Sequence, residues 1–167
     1  VDIDFGAWQG LPLREVRATH LGKLIMVEGI ITRATAIKQR LRRAVFRCSP
    51  DKGGCTSKAV VIQTTGLFER PFKCESCKKT ATFELMIEES EFIDTQRVSL
   101  QERPEELPPG QLPRALDCTL EEDVVDIARP GDRVAVIGVL KPRQDIIART
   151  GTRLSMFTPH MEVNYVD

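Results

Sequence analysis

Four cysteines are the residues of this sequence whose type and spacing could carry out chemistry. Cys48 and Cys55 are separated by six small or polar residues, and Cys74 and Cys77 form a C-x-x-C pair after eighteen more. These thiols could form two disulfides, a redox centre or one metal site. A C-x-x-C turn brings two sulfurs close enough to share an ion at about 2.3 Å from each. The SPDKGG segment inside the first pair favours a turn that aims both thiolates inward.

Metal binding is the interpretation that the rest of the sequence favours. The opening VDIDFGAWQG has neither the basic nor the apolar region of a signal peptide. We therefore expect a cytosolic or nuclear compartment, where thiols stay reduced. A thioredoxin-like role for CESC is disfavoured because its surroundings are β-rich and contain no βαβ unit. Four thiolates with no histidine nearby predict one structural zinc ion per chain in a closed tetrahedral site.

The remaining cysteine and the two histidines do not predict a catalytic centre. A catalytic zinc needs an open coordination position and a nearby acid or base. His20 and His160 are distant from the four cysteines in sequence and occur in no metal-binding motif, so we expect them to be exposed or hydrogen-bonded. Cys118, in the apolar run RALDCTL, is expected to be a small buried hydrophobe.

Length and composition predict a soluble globular protein. The chain has 167 residues, of which 41% are hydrophobic and 29% charged, enough for one ordinary domain with a core and a small appendage. No apolar run approaches the roughly 18 residues that span a bilayer, so no membrane partner is expected.

The apolar patterns predict a mainly β protein. LIMVEGIITR, with its central glycine, predicts a bent buried strand, and AIKQRLRRAVFR predicts the next one. ATFELMIEESEFID and QRVSLQE predict two separate strands, LDCTL another, and EEDVVDIARPGD one or two helical turns. RVAVIGVLKP and RLSMFTPHMEV flank RQDIIARTGT, which predicts a long β-hairpin with its tip near positions 149–152. Together they predict an OB-type five-stranded barrel with a zinc-ribbon-like, four-cysteine insertion.

The predicted organisation follows from this element order. The segments are a remnant or linker at 1–11, the first part of the barrel at 12–45, the zinc-binding insertion at 46–84, and the second part of the barrel at 85–167, with a loop at 103–114 and the hairpin at 133–163. The loop, RPEELPPGQLPR, is too rich in proline for a helix or a strand.

Charge is segregated along a chain whose formal net charge is zero. Positions 33–47 carry six basic residues and no acid, and positions 141–153 carry four basic residues against one acid. Positions 84–106 carry eight acids against two basic residues. This segregation favours an electrostatic track for phosphates, with ordinary solvated faces as the alternative. Because only 5% of the residues are aromatic, phosphate contacts are expected to outweigh base stacking.

Two long motifs flank the cysteine segment: LGKLIMVEGIITRAT before it and EFIDTQRVSLQERPEELPPGQLPRALDCTLEEDVVDIARPGDRVAVIGVL after it. They resemble the N-terminal region of the minichromosome maintenance (MCM) replicative helicases, the archaeal members above all. The resemblance covers nearly everything from Pro12 to Tyr165. Two departures are that the family's first helical subdomain is absent or reduced to VDIDFGAWQG, and that no Walker A motif, G-x-x-x-x-G-K-[ST], occurs. We therefore expect no ATP hydrolysis by this chain alone.

The resemblance implies roles for particular residues. The zinc ligands would be Cys48, Cys55, Cys74 and Cys77, in a lobe that supports head-to-head contact between two rings. Single-stranded DNA would be held inside a hexameric ring by basic residues of the barrel and hairpin: Arg33, Lys38, Arg97, Arg114, Lys141, Arg143, Arg149 and Arg153. The loop at 103–114 would communicate with the ATPase domain of the full-length chain, with a plain surface connection as the alternative.

The expected function is therefore that of a DNA-binding, ring-forming N-terminal portion of a replicative helicase, which supports DNA unwinding during replication. Its expected partners are single-stranded DNA and also double-stranded DNA, further copies of itself in one or two hexameric rings, and its own ATPase domain. In an archaeon, the expected location is the cytoplasm, in association with the nucleoid. In a eukaryote, it is the nucleus. One alternative is a pure oligomerisation or scaffold module without specific DNA contacts. A stand-alone zinc enzyme is disfavoured by the lack of ligand histidines.

Overall fold

The computed structural model of the protein describes residues 10–64, 67–80, 83–146, 151 and 153–167. These residues are mainly β, as predicted, and their helices are single 3₁₀ turns of three residues. The strands are β1 (Leu24–Ala34), β2 (Lys38–Cys48), β3 (Lys58–Ile62), β4 (Phe83–Leu85), β5 (Glu91–Gln101), β6 (Ala115–Glu121), β7 (Arg133–Ile146) and β8 (Arg153–Val166). Among the described residues there is no helix long and apolar enough to cross a membrane.

The chain divides into two compact units. The barrel unit comprises the chain up to Lys38 together with Thr95–Asp167, and the cysteine lobe comprises Gln39–Asp94. Strand β5 begins in the cysteine lobe and ends in the barrel unit. The segment boundaries derived from the sequence, with the insertion at 46–84, stay a prediction.

The barrel unit is built on a closed ring of five strands. Strand β1 pairs with β7, β7 with β8, β8 with β6, and β6 with β5, which returns to pair with β1. All these pairings are antiparallel except that of β6 with β8, which is parallel. A closed ring leaves no open sheet edge. The predicted OB-type five-stranded architecture is thereby confirmed.

Gly29 allows the ring to close where β1 meets β5. A Cβ atom at this position would lie 2.6 Å from the carbonyl oxygen of Gln101 and 2.8 Å from Cγ of Leu100. Any larger side chain would therefore push the two strands apart. Two residues further on, the register between β1 and β5 shifts between Ile31 and Arg33, which marks a bulge.

Alternating apolar side chains fill the interior of the ring. Strand β6, with the sequence ALDCTLE, buries Leu116, Cys118 and Leu120 and leaves the intervening positions exposed or half-buried. They join a core to which the other four strands contribute, for example through Val27, Leu100, Leu140 and Met161. Cys118 is 1% exposed, which confirms that it is a small buried hydrophobe, and this burial raises the pKa of its thiol to about 12.

In the cysteine lobe, β2 pairs antiparallel with both β3 and β4. The division of positions 81–101 into two strands at ATFELMIEESEFID and QRVSLQE was wrong, because Glu91–Gln101 forms one continuous strand and the break comes earlier, at a 3₁₀ turn over Ile87–Glu89. Ser90 ends this turn. Its hydroxyl donates to the carbonyl of Met86 at 2.7 Å and accepts from the amide of Val45 at 3.0 Å.

Strands β7 and β8 form the predicted long hairpin. Their pairing runs from Val136 opposite Val166 to Ile146 opposite Arg153. Gly151 has a φ of 68°, a left-handed conformation that suits a turn. The rest of the predicted tip, including Arg149, lies outside the described residues.

Candidate metal centre and nucleic-acid interface

The four predicted ligand cysteines come together in the cysteine lobe. The Sγ atoms of Cys48, Cys55, Cys74 and Cys77 all lie within 4.8 Å of one another. Sγ of Cys48 is 3.7 Å from Sγ of Cys77, and Sγ of Cys55 is 3.6 Å from Sγ of Cys74. A tetrahedral zinc ion with sulfurs at about 2.3 Å requires S–S separations of about 3.8 Å. The spacing of the thiols therefore fits one such ion.

The first pair of thiols is positioned by the end of β2 and the turn that follows it. Cys48 is the last residue of β2, and a 3₁₀ turn over Pro50–Lys52 reverses the chain. A Cβ atom at Gly54 would lie only 2.5 Å from Sγ of Cys48. Glycine therefore leaves the space that this sulfur occupies, which gives a physical role to part of the predicted turn segment.

The second pair of thiols lies on a short turn closed by backbone hydrogen bonds. The amide of Cys74 donates to the carbonyl of Lys79, and the amide of Lys78 donates to the carbonyl of Cys74, both at 2.9 Å. This turn points backbone N–H groups at the sulfur of Cys74. The amide of Cys77 and the hydroxyl of Ser57 lower the pKa of Cys74 to about 6, and the Ser57 hydroxyl also lowers the pKa of Cys55. Groups that stabilise thiolates suit a metal site.

Ser57 is the residue of this site that sequence reasoning missed. Its hydroxyl Oγ is 3.0 Å from Sγ of Cys55 and 3.1 Å from Sγ of Cys74. A serine two positions after a cysteine gives no signal by itself in the sequence. The contact to Cys74 depends on the fold, because seventeen positions separate the two residues.

Arg33 and Arg97 lie close together on the outer face of the barrel unit. Arg33 pairs with Ser99 in the β1–β5 register, and Arg97 is two positions from Ser99 on the same strand. Such diagonal neighbours share one face of a sheet and lie about 7–8 Å apart. Both side chains are exposed, and neither forms an ion pair with another described residue. Their charges are therefore available to a ligand.

Two hydrogen bonds between Thr35 and Arg97 join the chain just after β1 to β5 beside these arginines. The amide of Thr35 donates to the carbonyl of Arg97 at 2.9 Å, and the amide of Arg97 donates to the hydroxyl of Thr35 at 3.1 Å. Lys38, three residues further on, is exposed at the start of β2. Arg114 is also exposed, but its Nη1 donates to the carbonyl of Arg14 at 3.3 Å, so part of this guanidinium holds the chain rather than being free.

Two of the four predicted hairpin cations already have carboxylate partners. Nζ of Lys141 lies 2.5 Å from Oε2 of Glu162, and Nη2 of Arg143 lies 3.2 Å from Oδ2 of Asp117. Arg153 is exposed and forms no ion pair with another described residue, whereas Arg149 lies outside the described residues. The sequence identifies the basic residues of the hairpin. It does not show that the folded strands bring carboxylates beside Lys141 and Arg143.

His20 and His160 have structural surroundings rather than a metal-binding one. Nδ1 of His20 accepts the amide of Arg17 at 3.0 Å, which closes a 3₁₀ turn. His160 is half-buried on β8, and this burial lowers its pKa. Its Nδ1 is buried and has no hydrogen-bond partner among the described residues, so the expectation of an exposed or hydrogen-bonded side chain was wrong for this nitrogen. Among the described residues, the one group of side chains placed to hold a metal ion consists of cysteines alone.

An ion pair between half-buried Arg14 and buried Glu102, which the sequence did not reveal, anchors the base of the loop at 103–114. Nε and Nη2 of Arg14 donate to Oε1 and Oε2 of Glu102 at 2.5 and 3.0 Å. The Glu102 side chain is only 1% exposed and also accepts the amide of Arg114 at 3.3 Å. The guanidinium of Arg14 lowers the pKa of Glu102 through this hydrogen bond. The two ends of the loop are thus held by one buried carboxylate.

Further ion pairs fix the body of this loop. Arg103 contacts Glu28 of β1 at 2.9 Å and also pairs with Glu106, while Glu105 contacts Arg133 of β7 at 2.6 Å. Leu112, near the end of the loop, is 89% exposed. Ion pairs therefore hold the loop against β1 and β7, and Leu112 remains exposed on it.

The chain matches the MCM OB domain family model over residues 12–144. This chain belongs to the MCM family. A minichromosome maintenance protein of Saccharolobus solfataricus is 39% identical over 158 residues, which cover 94% of this chain and 23% of that protein. The DNA replication licensing factor mcm3 of Schizosaccharomyces pombe is 36% identical over 138 residues, which cover 75% of this chain and 14% of that protein.

The fold is likewise that of the N-terminal part of an MCM protein. The crystal structure of the N-terminal domain of an archaeal MCM matches with a TM-score of 0.78 and 29% identity, covering 95% of this chain and 61% of that one. The predicted family resemblance is confirmed. The chain spans less than a quarter of the length of the two curated relatives.

Proposed function

We propose that this chain is the DNA-binding and ring-forming N-terminal portion of an MCM replicative helicase, and that it holds single-stranded DNA in the central channel of the ring during unwinding. The observation that carries the proposal is the pair of exposed arginines, Arg33 and Arg97, which lie diagonally on β1 and β5 without carboxylate partners among the described residues. OB barrels bind oligonucleotides with their strands and loops, and unpaired guanidinium groups suit phosphate oxygens.

The other predicted basic residues would add phosphate contacts to those of Arg33 and Arg97. Lys38 and Arg153 are exposed and would add phosphate contacts, as would Arg149, which lies outside the described residues. Lys141 and Arg143 would have to exchange Glu162 and Asp117 for phosphates, so each is expected to contribute less than an unpaired cation. Arg114 would combine DNA contact with its hydrogen bond to Arg14. Double-stranded DNA would use the same phosphate contacts.

The cysteine lobe would bind one structural zinc ion through Cys48, Cys55, Cys74 and Cys77. Bound zinc would fix the two turns that carry these thiols, and four protein ligands leave no open position for a reacting water. The lobe also has large exposed apolar side chains, among them Phe72 at 82% exposure with Val60 and Ile62 on β3. Such side chains suit contact between two rings stacked through their cysteine lobes.

The chain would act as one part of a larger motor. Its sequence contains no Walker A motif, so ATP hydrolysis would belong to another part of the full-length protein. The loop at 103–114, with exposed Leu112 and its fixed base, would contact that ATPase domain. The protein would work where chromosomal DNA is, at the nucleoid of an archaeon or in the nucleus of a eukaryote.

A pure oligomerisation module is the second candidate. The observation that favours it is the pairing of Lys141 and Arg143 with acids, since cations that already have carboxylate partners are less available to phosphates.

Salt-dependent binding of oligo-dT separates the two candidates. DNA binding through phosphates predicts that log affinity falls linearly with log salt concentration, by roughly 0.7 for each neutralised phosphate on a single strand. Mass and shape should be measured in solution with and without oligo-dT, at protein concentrations that form rings. Rings that assemble normally but bind oligo-dT without a salt-dependent slope would favour the oligomerisation module and contradict the DNA-binding proposal.

A further inference from the structure

Ser57 contacts three of the four cysteines of the site. Its hydroxyl Oγ lies 3.0 Å from Sγ of Cys55 and 3.1 Å from Sγ of Cys74, and its carbonyl accepts the amide of Cys48 at 2.9 Å. Ser57 therefore links the turn after β2 with the C-x-x-C turn. It is half-buried, immediately before β3 begins at Lys58.

The chemistry of the hydroxyl changes when the sulfurs are deprotonated. A free thiol can donate a hydrogen bond, but a metal-bound thiolate can only accept one. Four thiolates around a divalent cation leave an excess of two negative charges, which neighbouring donors stabilise. The Ser57 hydroxyl, placed between Cys55 and Cys74, is a side-chain donor that can reach a thiolate from either half of the site.

We propose that Ser57 is a positioning residue for the metal, because its hydroxyl donates to the thiolates of Cys55 and Cys74 and holds the two turns at the separation that the ion needs. This inference rests on the proposed zinc site. One hydroxyl carries one hydrogen, so it donates to one sulfur at a time and can alternate between them. Outer-shell hydrogen bonds of this kind orient metal ligands and retain the metal.

The test compares metal retention in Ser57→Ala with that in the wild-type chain. Each protein is loaded with zinc, and its affinity is measured by competition with a coloured chelator. Loss of an outer-shell partner predicts a roughly 10- to 100-fold weaker affinity in Ser57→Ala. The matched control is Ser76→Ala, which removes another hydroxyl of the same lobe but keeps the backbone amide that faces Cys74. It should retain zinc as the wild type does.

A second measurement separates a hydrogen bond from simple packing. In cobalt-substituted protein, loss of a donor to a thiolate should shift the sulfur-to-cobalt charge-transfer band to lower energy in Ser57→Ala. Ser57→Thr keeps the hydroxyl and should restore both the band position and the zinc affinity.

The outcomes distinguish this inference from the zinc proposal beneath it. Wild-type protein that binds neither zinc nor cobalt would contradict the metal site itself. Wild-type protein that binds zinc while Ser57→Ala matches Ser76→Ala in affinity and band position would overturn only the role of Ser57. Equal losses in Ser57→Ala and Ser57→Thr would likewise overturn it, because the hydroxyl would then not be the feature that matters.

Discussion

Thiol groups from two separate turns meet in the cysteine lobe, and their S–S separations of 3.6 and 3.7 Å fit the edge of a tetrahedral zinc site. The sulfurs are positioned by Gly54, which leaves space for the sulfur of Cys48, and by backbone amides that face the sulfur of Cys74. The ligand types could be predicted from the sequence because cysteine spacing is a local signal. Ser57 could not, because its contact with Cys74 forms only in the folded lobe.

Replacing Cys74 with Ser should remove the metal and unfold the cysteine lobe. Cys74 is buried and its sulfur lies 3.6 Å from that of Cys55, so its loss leaves three thiolates around the ion. In small zinc modules, metal binding contributes on the order of 10 kcal/mol to folding. Metal analysis of the freshly purified wild type should give one zinc per chain, and the variant should give far less.

The barrel unit serves as the internal control for that variant, because its core contains none of the four ligand cysteines. Circular dichroism should therefore retain a cooperative β transition in Cys74→Ser, while contact between rings weakens. Wild-type protein with much less than one zinc per chain would contradict the metal assignment.

Contacts between residues that are far apart in the sequence join the strands and loops of this protein, and local sequence patterns do not reveal such contacts. Apolar runs predicted β6 and the β7–β8 hairpin, and the structure contains these strands. Alternation divided β5 wrongly, because the turn that precedes it is set by the Ser90 hydroxyl, which donates to the carbonyl of Met86 and accepts from the amide of Val45. Arg14 and the buried Glu102 form an ion pair across 88 positions, a partnership that no local stretch of the sequence contains. Strand register, and with it the pairing of Lys141 with Glu162, is likewise a property of the closed ring.

The Arg14–Glu102 pair should make stability depend on acid pH. Because the folded pKa of Glu102 is lowered, its contribution is fully present above the unfolded pKa of about 4.3 and is lost as pH falls through the lowered value. Glu102→Gln should melt several degrees lower at pH 7 and show a flatter dependence on pH below 5. The measurement is thermal unfolding from pH 2 to pH 7.

Glu15→Gln is the matched control for this substitution. Glu15 is exposed and forms no ion pair with another described residue, so its replacement should leave the melting curve unchanged. If Glu102→Gln kept the acid dependence of the wild type, the Arg14–Glu102 pair would not be the source of that dependence.

The whole molecule combines a net charge of zero with a local cluster of basic residues. In one subunit, the exposed Arg33 and Arg97 and the basic residues of the hairpin would contribute only a modest positive charge. Rotational symmetry repeats that charge around a ring, so that a collar of positive charge would surround the channel. This is how an electrically neutral chain could hold DNA, and it makes binding depend on assembly.

Replacing Lys141 and Arg149 together with Ala should reduce DNA affinity far more in rings than in monomers. In a ring, the substitutions remove two positive charges from every subunit of the collar. In a monomer, they remove two positive charges in all. Binding of oligo-dT to the wild type and to the variant should be compared above and below the protein concentration at which rings form. Equal reductions in both regimes would mean that the hairpin contacts DNA from a single subunit, which would contradict the collar.

The central claim is that Arg33 and Arg97 bind phosphates of single-stranded DNA, and the salt dependence of oligo-dT binding to Arg33→Ala/Arg97→Ala rings tests it most directly. Neither arginine has an ion-pair partner among the described residues, so the double variant should keep the melting temperature of the wild type. Its affinity should fall, and the slope of log affinity against log salt should become shallower by roughly 0.7 for each phosphate that the variant no longer neutralises. Arg129→Ala, at an exposed position outside the predicted set, is the matched control and should keep the wild-type slope. A double variant with the affinity and slope of the wild type would contradict the claim.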